Sequence, residues 1–235
     1  MSVPSSKKTI RILRAELNKL VTLPGTWFTL MASFILNLLL TAAFTSVGLQ
    51  GAAGTQSILN TGLASMGYLQ AGFIILGILA ACSEYVGGQI RATLTAIPWR
   101  GLQLSMKHLA LATITFPIAF IIASSGVLYT FIRMRDTAAG FDIETMIAAL
   151  LGATGYLTLT TLLSAAVGAI VRRTTPALVM LLGYYFVVSP LARNYLPRFR
   201  NYSPDTAGND VTGILVLWTL VLITAAIVFY RRRDA

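Results

Sequence analysis

Six stretches of this chain are apolar over about the length a helix needs to cross a lipid bilayer. They run over 27–47, 63–82, 109–132, 143–171, 176–195 and 211–230. A spanning helix takes about 20 mostly apolar residues. Lipid offers the backbone no water, so each such stretch must satisfy its own N–H and C=O groups within itself. The expected fold class is an all-α membrane protein: six transmembrane helices in one domain covering 1–235. The fifth stretch is the weakest, because its purely apolar part stops near Leu191, just after Pro190. Pro117 lies inside the third and is expected to kink it.

Composition supports lipid as the solvent. The chain is 56% hydrophobic and 11% charged, whereas a soluble domain carries roughly 25% charged residues. The net charge of +10 raises the question of a nucleic-acid partner. Aromatic residues, however, sit within the apolar runs and are not interleaved with basic patches as on a stacking platform. The single cysteine, Cys82, excludes a disulfide within the chain and a cysteine metal site, and reads as a small buried hydrophobe. The lone histidine, His108, reads as interfacial. No cleavable signal peptide is expected.

Charge position orients the chain. On one side lie Lys7, Lys8, Arg11, Arg14, Lys19, Arg91, Arg100, Lys107, Arg172, Arg173 and Arg231 to Arg233, against only Glu16, Glu84 and Asp234. On the other side, Arg133, Arg135, Arg193, Arg198 and Arg200 balance Asp136, Asp142, Glu144, Asp205 and Asp210. The whole excess falls on one side, which the positive-inside rule marks as cytoplasmic. Six spans then place both termini there, in a multi-pass protein of the cell membrane.

Two segments outside the runs carry pattern. Over 5–22, Ile10, Leu13, Leu17, Leu20 and Val21 form an apolar stripe at helical spacing, with Arg11, Arg14, Glu16 and Lys19 among the remaining positions. Such a helix lies in the membrane interface; the plainer alternative is a solvated basic tail. The 83–107 loop reads SEYVGGQIRATLTAIPWRGLQLSMK. Its first part places Ile90, Leu94 and Ile97 on one helical face, with Glu84 and Arg91 on another. A short helix of that kind suits a groove on a partner, and an ordinary loop is the alternative. Pro98 and Gly101 then turn the chain toward the third run.

These segments resemble the type-2 permeases of ATP-binding-cassette (ABC) transporters. An R-x-E-x-x-K helix precedes the first span, here Arg14, Glu16 and Lys19. A run of the form S-E-Y-x-x-G-x-I-R-x-T-L follows the second span, here Ser83, Glu84, Tyr85, Gly88, Ile90, Arg91, Thr93 and Leu94, with Gln89 where the family has threonine. Pro98, Arg100 and Gly101 come next. The polar segment 193–210 stands where the family carries an apolar re-entrant element. The resemblance implies that the loop is a coupling helix seated on a separate ATPase subunit, through Glu84, Tyr85, Gly88, Ile90, Arg91, Leu94, Pro98 and Arg100. It also implies that the N-terminal helix is an elbow beside that loop, and that two permease chains, identical or paired with a sister chain, enclose the path.

The rest of the chain agrees with that division of labour. There is no G-x-x-x-x-G-K-[ST] phosphate loop, and none of the four lysines follows a glycine. ATP and Mg are therefore expected on the partner, with no cofactor or metal on this chain. No base and nucleophile are placed for an enzyme, and the run interiors hold essentially no ionisable group of the kind that marks a proton path. Asn37, Gln70, Ser124, Ser125, Thr154, Thr158, Thr160, Thr161 and Ser164 are expected to bond between helices, and Ser164 with Gly168 to mark a close helix contact. The expected function is the transmembrane subunit of an ATP-driven exporter. The alternative is an accessory, sensor or channel-like subunit without an ATPase. No residue names the substrate.

Overall fold

The computed structural model describes residues 6–50, 58–85, 100–134, 142–195 and 212–233. Helices α1 (Ser6–Thr22), α2 (Pro24–Gln50), α3 (Ile58–Leu63), α4 (Met66–Cys82), α5 (Arg100–Met134) and α6 (Ile143–Val171) are followed by α7 (Thr174–Gly183). A π-helical turn (Tyr184–Val188), α8 (Ser189–Tyr195) and α9 (Thr212–Arg233) complete the order. No strand occurs among the described residues. Five helical segments are long and apolar enough to cross a membrane: Pro24–Gly48, Ile58–Cys82, Gly101–Met134, Ile143–Val171 and Thr174–Ala192. The chain is thus an all-helical, multi-pass membrane protein. In α9 the apolar stretch, Gly213–Phe229, is shorter than in the other five.

α6 is the central helix and packs on α4, α5 and α9; α2 lies on α4 and α5, and α7 on α4. In lipid, helices gain no hydrophobic drive toward one another, so small residues that let backbones approach decide the contacts. The α4–α6 seam shows this most clearly. A Cβ on Gly77 would come within 2.3 Å of the Thr161 carbonyl oxygen and 2.2 Å of Ser164 Oγ, and one on Gly168 within 3.1 Å of Ala81 Cβ. The expected close contact at Ser164 and Gly168 is therefore present, with α4 as its partner. A second close approach sets Gly62 of α3 against the α5 backbone at Gly126 and Val127.

Polar groups within the bundle bond partly as expected. Asn37 of α2 donates from Nδ2 to the Ile122 carbonyl at 2.8 Å and to Ser125 Oγ at 3.1 Å, and accepts from Ser65 Oγ at 2.7 Å. Three helical segments are thereby tied at one fully buried amide. Tyr156 of α6 donates its hydroxyl to Gln70 Oε1 of α4. Thr158, Thr160, Thr161 and Ser164 differ from expectation: each bonds a carbonyl three or four residues back in its own helix. That bond satisfies a hydroxyl without any neighbour. Ser124 Oγ and Thr154 Oγ1 are buried without a hydrogen bond.

Three boundaries differ from the sequence reading. The second run begins earlier, as α3, and turns at Ala64–Ser65 before α4. The fifth run stays helical past Pro190, to Tyr195. Pro190 lacks an N–H, and its ring would clash with the carbonyl four residues back. The chain opens just before it into a π turn, in which Ser189 N–H reaches the Tyr184 carbonyl. Finally, α5 begins at Arg100, not Leu109, and runs unbroken through Pro117. Gly101 and Lys107 belong to its first two turns, where Gln103, Leu104, Lys107, His108 and Leu111 form one buried face.

The α4–α6 seam is testable. Gly77→Ala should destabilise the protein by about 1–3 kcal/mol, since a backbone oxygen occupies the space of the added methyl. Gly152→Ala, where nothing lies within 4 Å, should leave thermal unfolding in detergent unchanged or raise its midpoint. Equal midpoints for the two variants would contradict the packing.

Candidate functional site

Charged residues from two helices of one bundle end converge on a single carboxylate. Glu84 sits in the turn after α4, where Ser83 N–H bonds the Leu79 carbonyl and Tyr85 N–H the Cys82 carbonyl. Its side chain is 8% exposed. Lys107 Nζ, from α5, lies 2.8 Å from Glu84 Oε2, and its own side chain is 6% exposed. Lys19 Nζ, from α1, lies 3.0 Å from Glu84 Oε1 and 2.9 Å from Glu16 Oε1. Gln103 Nε2 approaches Glu84 Oε2 at 3.4 Å. Four charges from α1, α5 and the α4 turn thus form one network.

Local sequence explains the convergence. Glu16 and Lys19 stand three apart in α1, so their side chains are neighbours on its surface. Gln103 and Lys107 stand four apart in α5 and point the same way. Below the charges, Leu20 of α1 packs with Ala80 and Ala81 of α4 and Ala110 and Leu111 of α5, with Leu13 and Leu17 beside it. The small alanines let α1 approach closely enough for Lys19 to reach Glu84. A recess of about 10 Å³, room for about one water molecule, adjoins the network; Glu84, Tyr85, Gln103 and Lys107 are among its walls. The Oε1 atom of Gln103 is buried there without a hydrogen bond.

α6 closes the same end. Arg172 caps it in the left-handed conformation, φ 60°, with its N–H on the Gly168 carbonyl at 2.8 Å. That geometry ends the helix and sets the guanidinium 5.5 Å from the Tyr85 ring centre, a cation–π distance.

Burial pushes the Glu84 carboxyl up, but Lys107 and then Lys19 outweigh it and hold the group below its ordinary 4.5. Burial lowers Lys19, yet its bonds to Glu16 and Glu84 prevail and keep it above its ordinary 10.5.

Of the residues expected to contact an ATPase, Glu84 and Tyr85 are turned into the chain's own packing. Arg100 opens α5. Gly88, Ile90, Arg91, Leu94 and Pro98 lie outside the described residues. Of the interfacial-helix residues, Glu16 is buried and Lys19 is engaged, while Arg11 and Arg14 are exposed. The predicted apolar stripe of α1 is rotated: Ile12 joins Leu13, Leu17 and Leu20 against the bundle, whereas Ile10 and Val21 face outward. His108 is buried, with Nδ1 2.8 Å from the Leu104 carbonyl oxygen. Cys82 is buried as expected, its thiol 3.6 Å from the Gly168 carbonyl oxygen. The sequence reading missed Gln103 and the interior position of Lys107. Their spacing with Leu104, His108 and Leu111 was the available signal.

Removing one partner of a buried pair strands the other charge, at about 3–5 kcal/mol. Glu84→Gln should lower stability by that order, and Glu84→Gln with Lys107→Met should recover most of it. Lys19→Gln, although Lys19 is half-exposed, leaves the buried Glu16 carboxylate without its ion-pair partner, so it should cost more than the roughly 1 kcal/mol of a surface pair. The pH dependence follows from the directions of shift. The contribution of Glu84 is full above pH 4.5 and is lost as pH falls through its depressed value. That of Lys19 is full below pH 10.5 and is lost as pH rises through its elevated value. The acid fall of the detergent unfolding midpoint should therefore be smaller in Glu84→Gln.

The sequence matches no protein-family model and no curated protein.

Proposed function

We propose that the chain is the transmembrane subunit of an ATP-driven ABC exporter, in which ATP and Mg bind a separate phosphate-loop ATPase. In this reading α9 is a sixth span. Its 17 apolar residues meet the lower limit of about 17 for crossing the bilayer. An even span count then leaves both termini on the basic, cytoplasmic side.

The observation that carries the reading is the anchoring of Glu84. The 83–100 loop, which resembles a coupling helix, connects α4 to α5 in sequence. Its first flank is fastened to α1 through Lys19 and to α5 through Lys107. A segment that receives a push from a partner must be rigidly connected to the spans it moves, because the packed helices tilt as bodies. In this role Glu84 transmits within the chain and Arg91 is the contact to the partner. A second permease chain completes the path, since six helices alone enclose little.

The test is gentle purification of the tagged chain from its native cell, with mass spectrometry of what accompanies it. A stoichiometric phosphate-loop ATPase is expected, and Arg91→Glu should release it while the chain stays folded. A preparation free of any ATPase even after crosslinking would overturn the proposal in favour of an accessory or channel-like subunit.

A further inference from the structure

α1 carries apolar and cationic surface that its packing on the bundle does not use. Ile10, Arg14 and Val21 follow at i, i+4 and i+11 and lie along one line of the helix. Ile10 and Val21 are each 49% exposed. Arg14, between them, is exposed and has no carboxylate partner among the described residues. The line continues into the first span. Trp27, half-exposed, donates its indole N–H to the Val21 carbonyl at 2.8 Å, and Phe28 and Met31 follow, exposed, on α2.

A cation bracketed by outward apolar side chains is ill placed in water. It is well placed at the headgroup layer, where the apolar groups meet acyl chains, an indole sits at the boundary, and a guanidinium grips a phosphate with two donors. The local charge selects the sign. Lys7, Lys8, Arg11 and Arg14 stand against a single acid, Glu16, whose carboxylate Lys19 already holds.

We infer that this strip is a docking site for an anionic phospholipid headgroup, with Arg14 on the phosphate, Arg11 as a second cation and Trp27 at the membrane boundary. The site depends on the chain spanning a membrane and does not depend on an ATPase partner. Through Lys19 and Glu84, the lipid-bound helix is one ion pair away from the 86–99 segment.

Trp27 reports on its own lipid neighbours. In full-length protein carrying Trp99→Phe and Trp218→Phe it is the sole tryptophan. That protein is placed in bilayers of equal phosphatidylglycerol and phosphatidylcholine, with one lipid or the other brominated. Brominated phosphatidylglycerol should quench Trp27 the more strongly, with a preference of about fivefold, as expected for one cation at an anionic surface. The preference should shrink in high salt, persist in Arg14→Lys and approach unity in Arg14→Gln. Equal quenching by the two lipids in the Arg14 protein, which needs no folding control, would overturn the inference. So would an undiminished preference in Arg14→Gln, provided its helical circular dichroism matches the parent. Neither result bears on whether an ATPase co-purifies.

Discussion

A buried carboxylate in a membrane protein is an obligation, and Glu84 places that obligation on two other elements. Desolvation alone would drive it neutral. The α5 ammonium of Lys107 and the α1 ammonium of Lys19 reverse that outcome. Each of the three positions is then constrained by the others. α4 must end where Glu84 can turn inward, α5 must start early enough to carry Lys107 past it, and α1 must lie along α5. The alanines at 80, 81 and 110 make that last approach possible. Such a network gives little net stability against an apolar substitute of the same shape. What it specifies is arrangement, because any slip of one helix strands a charge.

Away from that end the bundle is held by different means. Backbone proximity at Gly77 and the three-way Asn37 amide fix α2, α4, α5 and α6 without a formal charge. Hydroxyls that find no neighbour fold back on their own helices. The bundle therefore divides into a body joined by small residues and an end where a buried charge network ties α1, the α4 turn and α5, with α6 closing it. Under the proposed function, motion applied at that end would reach the body through the packed helices as rigid units.

α1 shows how one short helix serves three environments. Ile12, Glu16 and Leu20 face the bundle, Ile10 and Val21 face outward with Arg14 between them, and Arg11 and Asn18 complete the remaining side. A single stripe drawn through every apolar residue averages the first two faces, which is why the sequence reading rotated it. Only the position of α5 separates the apolar residues that meet protein from those that face outward.

The sequence by itself determined the solvent, the helical class and the approximate place of the long apolar helices, because twenty apolar residues in lipid have no alternative to a helix. Charge counting also placed Glu84, Lys19 and Lys107 at one end. It could not tell that they touch, because pairing between residues 65 positions apart depends on which helices are neighbours. Lys107 illustrates the loss. A charge read along the chain marks a boundary, and only a carboxylate arriving from elsewhere lets it sit inside. Pro190 shows the same limit for backbone. A proline after an apolar run reads as an end, yet the π turn before it relieves the clash and α8 carries the helical path on to Tyr195. Tertiary structure decided these points because the charge or strain that looks costly in one segment is relieved by groups the local sequence does not contain, or by a backbone adjustment it does not announce.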